Sequence, residues 1–113
     1  MDPATERRVL GLLGLGIRAR NVVVGVEQVR MAARRGDLAL AIVAPDASPN
    51  SRKKLVPLLT AKRIPLREGP AAEALGALVG RETTAAIGVT DRALAKGVTK
   101  LFDDELKVEE LNR

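Results

Sequence analysis

Residues 38–50 read Leu38-Ala39-Leu40-Ala41-Ile42-Val43-Ala44 and then Pro45-Asp46-Ala47-Ser48-Pro49-Asn50. The apolar run from Leu38 to Ala44 is unbroken and too short for a helix, which predicts a buried central strand. Asp46 to Asn50 forms a loop in which Ser48 is the N-cap and Pro49 the first residue of a helix. Strand, polar loop and capped helix set an α/β pattern that the flanking sequence repeats.

Toward the N-terminus, a helix capped by Thr5 runs to Arg18, with Val9, Leu10, Leu13 and Ile17 at helical spacing. Gly11, Gly14 and Gly16 are poor helix formers and imply close approach of a neighbouring element. Asn21 opens a short β-branched strand, Val22 to Val24, and Gly25 turns the chain into a second helix that ends at Gly36. Toward the C-terminus the third helix spans Pro49 to about Lys62, and Pro57 should kink or shorten it. Ile64 to Glu68 is a strand. Gly69 and Pro70 then turn into a helix over Ala71–Val79, closed by Gly80. Ala85 to Val89 is the last buried strand, and Thr90 caps a fifth helix from Asp91 to about Leu101. The tail from Asp103 to Arg113 is polar and only marginally helical. Four strands separated by helices imply one sheet covered on both faces, a three-layer α/β/α sandwich in a single domain over 1–113.

The 113 residues allow one modest core, and the composition, 46% hydrophobic and 29% charged, is that of a globular protein. Aromatic content is 1%, the lone Phe102, so Val, Leu, Ile and Ala must build the core and stacking of bases on aromatic side chains is nearly unavailable. Lys and Arg number 19 against 14 Asp and Glu, a net charge of +5 with pI near 10.2. That surplus favours polyanions, nucleic acid first and an acidic membrane surface second, with plain solubility as the alternative. The absence of Cys excludes disulfides, thiolate metal sites and a Cys nucleophile. The absence of His removes the usual general base and the commonest metal ligand. No apolar run approaches the ~20 residues that span a bilayer, and Met1–Arg8 lacks the order of a signal peptide, so a cytoplasmic protein is expected.

Gly14-Leu15-Gly16-Ile17-Arg18-Ala19 satisfies a dinucleotide-binding pattern, but it ends a helix and precedes a strand, the reverse of what pyrophosphate binding needs. Asp103, Asp104, Glu105, Glu109 and Glu110 read as a solvated charge run. Asp46 and Asp91 each follow a buried strand, where α/β folds often keep reactive groups, yet each also suits a turn or a helix start. No catalytic constellation, metal site or cofactor site is expected.

The second helix carries more information. At ~100° per residue, Val26, Val29 and Ala33 share a core-facing side, while Glu27, Met31, Arg34 and Arg35 lie opposite, with Gln28 beside them. The start of this helix offers free backbone N–H groups. Arg18, Arg20 and Asn21, just before the first strand, are expected to converge on the same end of the sheet and meet a phosphate backbone.

Taken in order, Leu12-Leu13-Gly14-Leu15, Arg18-Ala19, Val23-Val24-Gly25, Ala44-Pro45-Asp46-Ala47-Ser48, Ile64-Pro65, Leu75-Gly76, Gly80-Arg81-Glu82 and Val89-Thr90-Asp91 make a pattern. Over about residues 8–101 it resembles the bacterial YlxQ-type branch of the kink-turn-binding ribosomal protein family. The resemblance implies a four-stranded mixed sheet. It also implies RNA binding through the first strand, the start of the second helix and the loop before the last strand. The helix would enter a kinked duplex and read tandem sheared G·A pairs. The matching helix positions are Gly25, Val26, Glu27, Gln28, Met31 and Arg35, and the loop positions are Arg81, Glu82, Thr83 and Thr84.

Archaeal kink-turn binders carry Asn, Glu and Lys where this chain has Glu27, Gln28 and Met31. An ionised Glu27 can only accept hydrogen bonds, and Met31 brings no charge. Two readings follow. One is a non-catalytic RNA-binding protein, a cytoplasmic monomer acting on ribosomal or other structured RNA beside ribosomal or translation-related proteins. The other is a protein-interaction module in which the same face has been retuned, since exposed Met suits adaptable interfaces. Under the first reading, Arg35→Ala should weaken RNA binding and flatten its salt dependence in a titration at two salt concentrations. Unchanged affinity at both would remove Arg35 from the site.

Overall fold

The computed structural model describes residues 1–112, and among them five helices alternate with four strands. In chain order these are α1 (Pro3–Arg18), β1 (Val22–Val24), α2 (Val26–Arg35), β2 (Leu40–Val43), α3 (Pro49–Ala61), β3 (Leu66–Glu68), α4 (Ala72–Leu78), β4 (Ala86–Val89) and α5 (Arg92–Leu111). None of these helices is long and apolar enough to cross a membrane.

The helix starts follow from side chains that accept from otherwise orphaned amides. Ser48 accepts from Ser51 N at 3.1 Å, as its position implied. At α1 the cap is Asp2 rather than Thr5: Asp2 Oδ2 accepts from the Ala4 and Thr5 amides at 3.1 and 3.3 Å, with Pro3 in the first turn. At α5 Asp91 accepts from Leu94 N at 2.8 Å. Thr90, expected in that role, instead donates its hydroxyl to Asn21 O at 3.0 Å and ties the end of β4 to the start of β1. Pro57 neither ends nor shortens α3. It lies on the exposed side with Lys53, whose carbonyl loses its helical partner where water is at hand.

The sheet has the order β1-β4-β2-β3. β4 is antiparallel to both neighbours, with Val23 opposite Gly88 and Ala41 opposite Gly88, while β2 and β3 run parallel with Ile42 opposite Arg67. The sheet is therefore mixed. β2 and β4 are buried along their whole length. On one face α1, α4 and α5 enclose Val9, Leu13, Leu75, Val98 and Phe102 against Leu40, Ile42, Ile87 and Val89. On the other, α2 and α3 place Val29, Ala33, Leu55 and Leu59 over Ala41, Val43 and Ala86. Aliphatic side chains do nearly all of this work, as the composition required.

Two further expectations change. α5 continues to Leu111, well past Leu101, because Phe102 is buried against α1 and Glu105 accepts from the Asp2 amide. The outer turns propagate from that anchored part. Of the three α1 glycines, only Gly16 meets the expected close approach: a Cβ there would collide with Leu94 and press on Val22 at 3.0 Å. Gly14 would make ordinary contact with Leu78 at 3.9 Å, and Gly11 faces open space.

The tightest backbone approach lies elsewhere. A Cβ on Gly76 of α4 would sit 2.7 Å from Thr83 Cα and 2.8 Å from Arg81 O, so α4 and the 79–85 connection touch main chain to main chain. Two Gly→Ala changes should therefore have opposite signs. Gly76→Ala should cost about 1–3 kcal/mol, because backbone must move to admit the methyl. Gly11→Ala, in an exposed helix interior with space, should stabilise by about 1 kcal/mol. Urea denaturation of the two variants beside the parent protein measures both.

Candidate nucleic-acid interface

β1 runs directly into α2 through Gly25, whose φ of 92° and ψ of 159° belong to a backbone region essentially reserved for glycine. Its amide donates to Ala86 O at 2.9 Å, so β4 holds the junction in place. No side chain caps α2, which leaves the first-turn N–H groups of Val26, Glu27 and Gln28 at the surface edge with the positive end of the helix dipole. The guanidinium of Arg81, from the α4–β4 connection, comes over this point: a Cβ on Gly25 would lie 3.5 Å from Arg81 Nη1. A side chain at position 25 would strain the backbone, with its Cβ in ordinary contact with the arginine.

Glu27 and Gln28 are exposed in the first turn of α2. The Glu27 carboxylate accepts from Arg30 Nη1 at 3.4 Å and pairs with Lys54 Nζ of α3 at 3.7 Å. Ion pairs this exposed contribute at most about 1 kcal/mol, so the carboxylate stays free to exchange partners. Their effect is on the field: two cations flank the α2 carboxylate that would otherwise repel a phosphate. Arg30 is half-buried and its Nε has no partner among the described residues. Val26 packs against the α2–α3 side of the core, as its helical position implied. Met31 is 46% exposed on the same outer side as Glu27, and Arg34 and Arg35 are exposed in the last turn before Gly36.

The α4–β4 connection contributes unevenly. Arg81, Glu82 and Thr83 are exposed. Thr84 is not: it is 4% exposed, its amide donates to Ala72 O at 3.0 Å, and its hydroxyl has no partner among the described residues. Contact of its side chain with a ligand at the surface is corrected accordingly, because the residue turns inward to start β4.

Arg18, Arg20 and Asn21 also part from expectation. They precede β1 whereas Gly25 follows it, and four extended residues at ~3.3 Å each separate Asn21 from Gly25 by about 13 Å. Asn21 O accepts from Thr90 N and Oγ1 at that far end. Arg20 lies beside Gly36, Thr90 and Arg92, and Arg18 is on the outer face of α1 near Arg8 and Leu15. Since α2 folds back over the sheet, it is the end of α2, not its start, that comes near Arg20.

The two acidic residues considered for chemistry have structural duties. Asp91 caps α5, and Asp46 Oδ1 accepts from Ala72 N at 2.8 Å, capping α4 across 26 residues of sequence. Arg52 of α3 pins the same turn by donating to Ala44 O and Pro45 O at 3.3 and 2.9 Å. Among the described residues no group of three acidic side chains is placed to hold a metal ion. Sequence reasoning missed Lys54 and the reach of Asp46. Neither leaves a sequence signal, because each acts across elements whose relative placement only the fold supplies.

The model of the ribosomal protein L7Ae/L30e/S12e/Gadd45 family matches residues 7–98. A curated relative, the RNA-binding protein YlxQ of Bacillus subtilis (strain 168), is 33% identical over 92 residues, which cover 81% of this chain and 92% of that protein. Among solved structures, a Bacillus halodurans protein of unknown function superposes with a TM-score of 0.78 at 34% identity, covering 84% of this chain and 96% of the other. The 15.5kD RNA binding protein of Giardia lamblia superposes with a TM-score of 0.75 at 20% identity, covering 92% and 89%, and shares the fold. With a family model matched across most of its length and the expected mixed sheet in place, this chain belongs to the ribosomal protein L7Ae/L30e/S12e/Gadd45 family.

Proposed function

We propose that the protein is a non-catalytic RNA-binding protein that docks the β1–α2 junction and the exposed part of the α4–β4 connection, Arg81 to Thr83, against a structured RNA. The observation that carries this reading is Arg81 poised over Gly25 at the uncapped start of α2. A phosphate there would receive backbone N–H groups, the helix dipole and a guanidinium together. The Gln28 amide can both donate and accept at a base edge, and Glu27 can accept from an exocyclic amino group while Arg30 and Lys54 offset its charge. Met31 and Arg35 extend the same helix face along a groove. The 33% identity to an RNA-binding protein of Bacillus subtilis agrees with RNA as the partner.

The finer part of the proposal is kink-turn-like or ribosomal RNA as the target, met by a cytoplasmic monomer alone or beside translation-related proteins. The test is binding to a labelled kink-turn RNA and to a control whose G·A pairs are replaced by Watson–Crick pairs, at two salt concentrations. The expected result is preference for the kink-turn that survives the higher salt, and a tenfold or greater loss of that preference in Gly25→Val. Equal, salt-sensitive binding to both RNAs would mean a basic surface without shape recognition. No binding to either would transfer the face to a protein partner, a reading that Met31, 46% exposed between Glu27 and Arg35, would then favour.

A further inference from the structure

The chain's positive charge is not gathered at the α2 start. There Arg30, Lys54 and Arg81 face Glu27 and Glu82, a surplus of a single charge among these groups. At the far end of the sheet, two grooves adjoin through Leu38, Ala39 and Arg92, and their cations are Arg20, Arg92, Lys96, Lys100 and Lys107. Four of the five lie on α5, at positions that fall within about 80° of arc at ~100° per residue. They form a row about 23 Å long at ~1.5 Å per residue.

The acidic groups in these grooves leave most of that row uncompensated. Asp103 pairs with Arg67 of β3 at 3.3 Å, and Asp104 with Lys100 at 3.9 Å. Asp37 lies in the groove that Arg20 lines. Among the described residues no carboxylate comes within 4.0 Å of Arg20, Arg92, Lys96 or Lys107. Arg20, one of two non-glycine residues at positive φ among the described residues (61°), sits in the tight link from α1 to β1 and lines the groove with Arg92. The groove offers the Thr99 hydroxyl, that of Thr90 being engaged with Asn21 O, and no aromatic surface, since Phe102 is buried in the core. Such a lining suits a chain of phosphates and offers bases no aromatic face.

We propose that this groove, between α5 and the α2–β2 turn, is a second RNA contact that takes the phosphodiester backbone of the strand flanking the segment docked at the α2 start. The inference rests on the RNA-binding reading above and adds a sequence-independent surface at the opposite end of the sheet. The two surfaces divide the work: the α2 start selects shape, and the α5 row supplies electrostatic hold.

The test is the double variant Arg92→Ala/Lys96→Ala, both exposed and outside the α2 site, beside the parent and Arg81→Ala. Each is titrated with the kink-turn RNA carrying short or lengthened duplex arms, over a salt series, with thermal midpoints as a folding control. The double variant should bind the long-armed RNA about tenfold more weakly at low salt, and its log K against log salt slope should fall by about 1.4–1.8, the loss of two phosphate contacts. Its preference for the kink-turn over the Watson–Crick control should be unchanged, and Arg81→Ala should show the opposite split. A double variant with parental affinity and slope overturns the second surface while the α2 site stands. A parent protein that binds neither RNA, whether or not it sediments with phosphatidylserine vesicles, overturns both readings.

Discussion

Everything at the candidate interface depends on β4 lying between β1 and β2. The strand follows the other three in sequence and is central in the sheet, with Ala86 to Val89 buried and antiparallel partners on both sides. Its pairing with β1 brings Ala86 O to the Gly25 amide and so fixes where α2 begins. The same pairing sets the connection that precedes β4 alongside that helix start. Two segments about sixty residues apart in sequence become one edge because a single strand is inserted between two others.

A second set of contacts holds the connection itself. Asp46, at the end of β2, caps α4 from a distance; α4 presents Gly76 to the backbone of Arg81 and Thr83; and Arg81 reaches over Gly25. Each link is a short, directional contact that tolerates little displacement. Asp46 and Asp91 stand where α/β enzymes often keep reactive carboxylates, yet both are engaged with helix amides.

Charge is distributed to match. Glu27 places an acceptor at the helix start, and Arg30 and Lys54 restore the sign of the field around it without removing its hydrogen-bonding capacity. At the far end of the sheet the grooves along α5 and the α2–β2 turn are lined by five cations, Arg20, Arg92, Lys96, Lys100 and Lys107, against three carboxylates, Asp37, Asp103 and Asp104. Separating a selective edge from a basic one lets recognition and affinity be tuned independently, since phosphate contacts carry little sequence information.

Much of the fold was legible in residues 38–50 and their neighbours. The unbroken apolar run Leu38–Ala44, the Ser48-Pro49 start and the 3.6-residue period of α2 are local patterns carried by residue type and spacing. The helix caps were less legible: Thr5 and Thr90 are the expected caps, but Asp fills the same role at least as well, and Asp2 and Asp91 take it. Thr84 read as a loop residue like Thr83, and only the packing of α4 buries one and exposes the other. By itself, then, the sequence determined the elements, the aliphatic core, the lack of cysteine and histidine chemistry and the basic balance, since these follow from residue type and spacing. Only the tertiary structure decided that Arg81 joins Gly25 while Arg20 joins Arg92, because strand order depends on long-range pairing that no local period encodes.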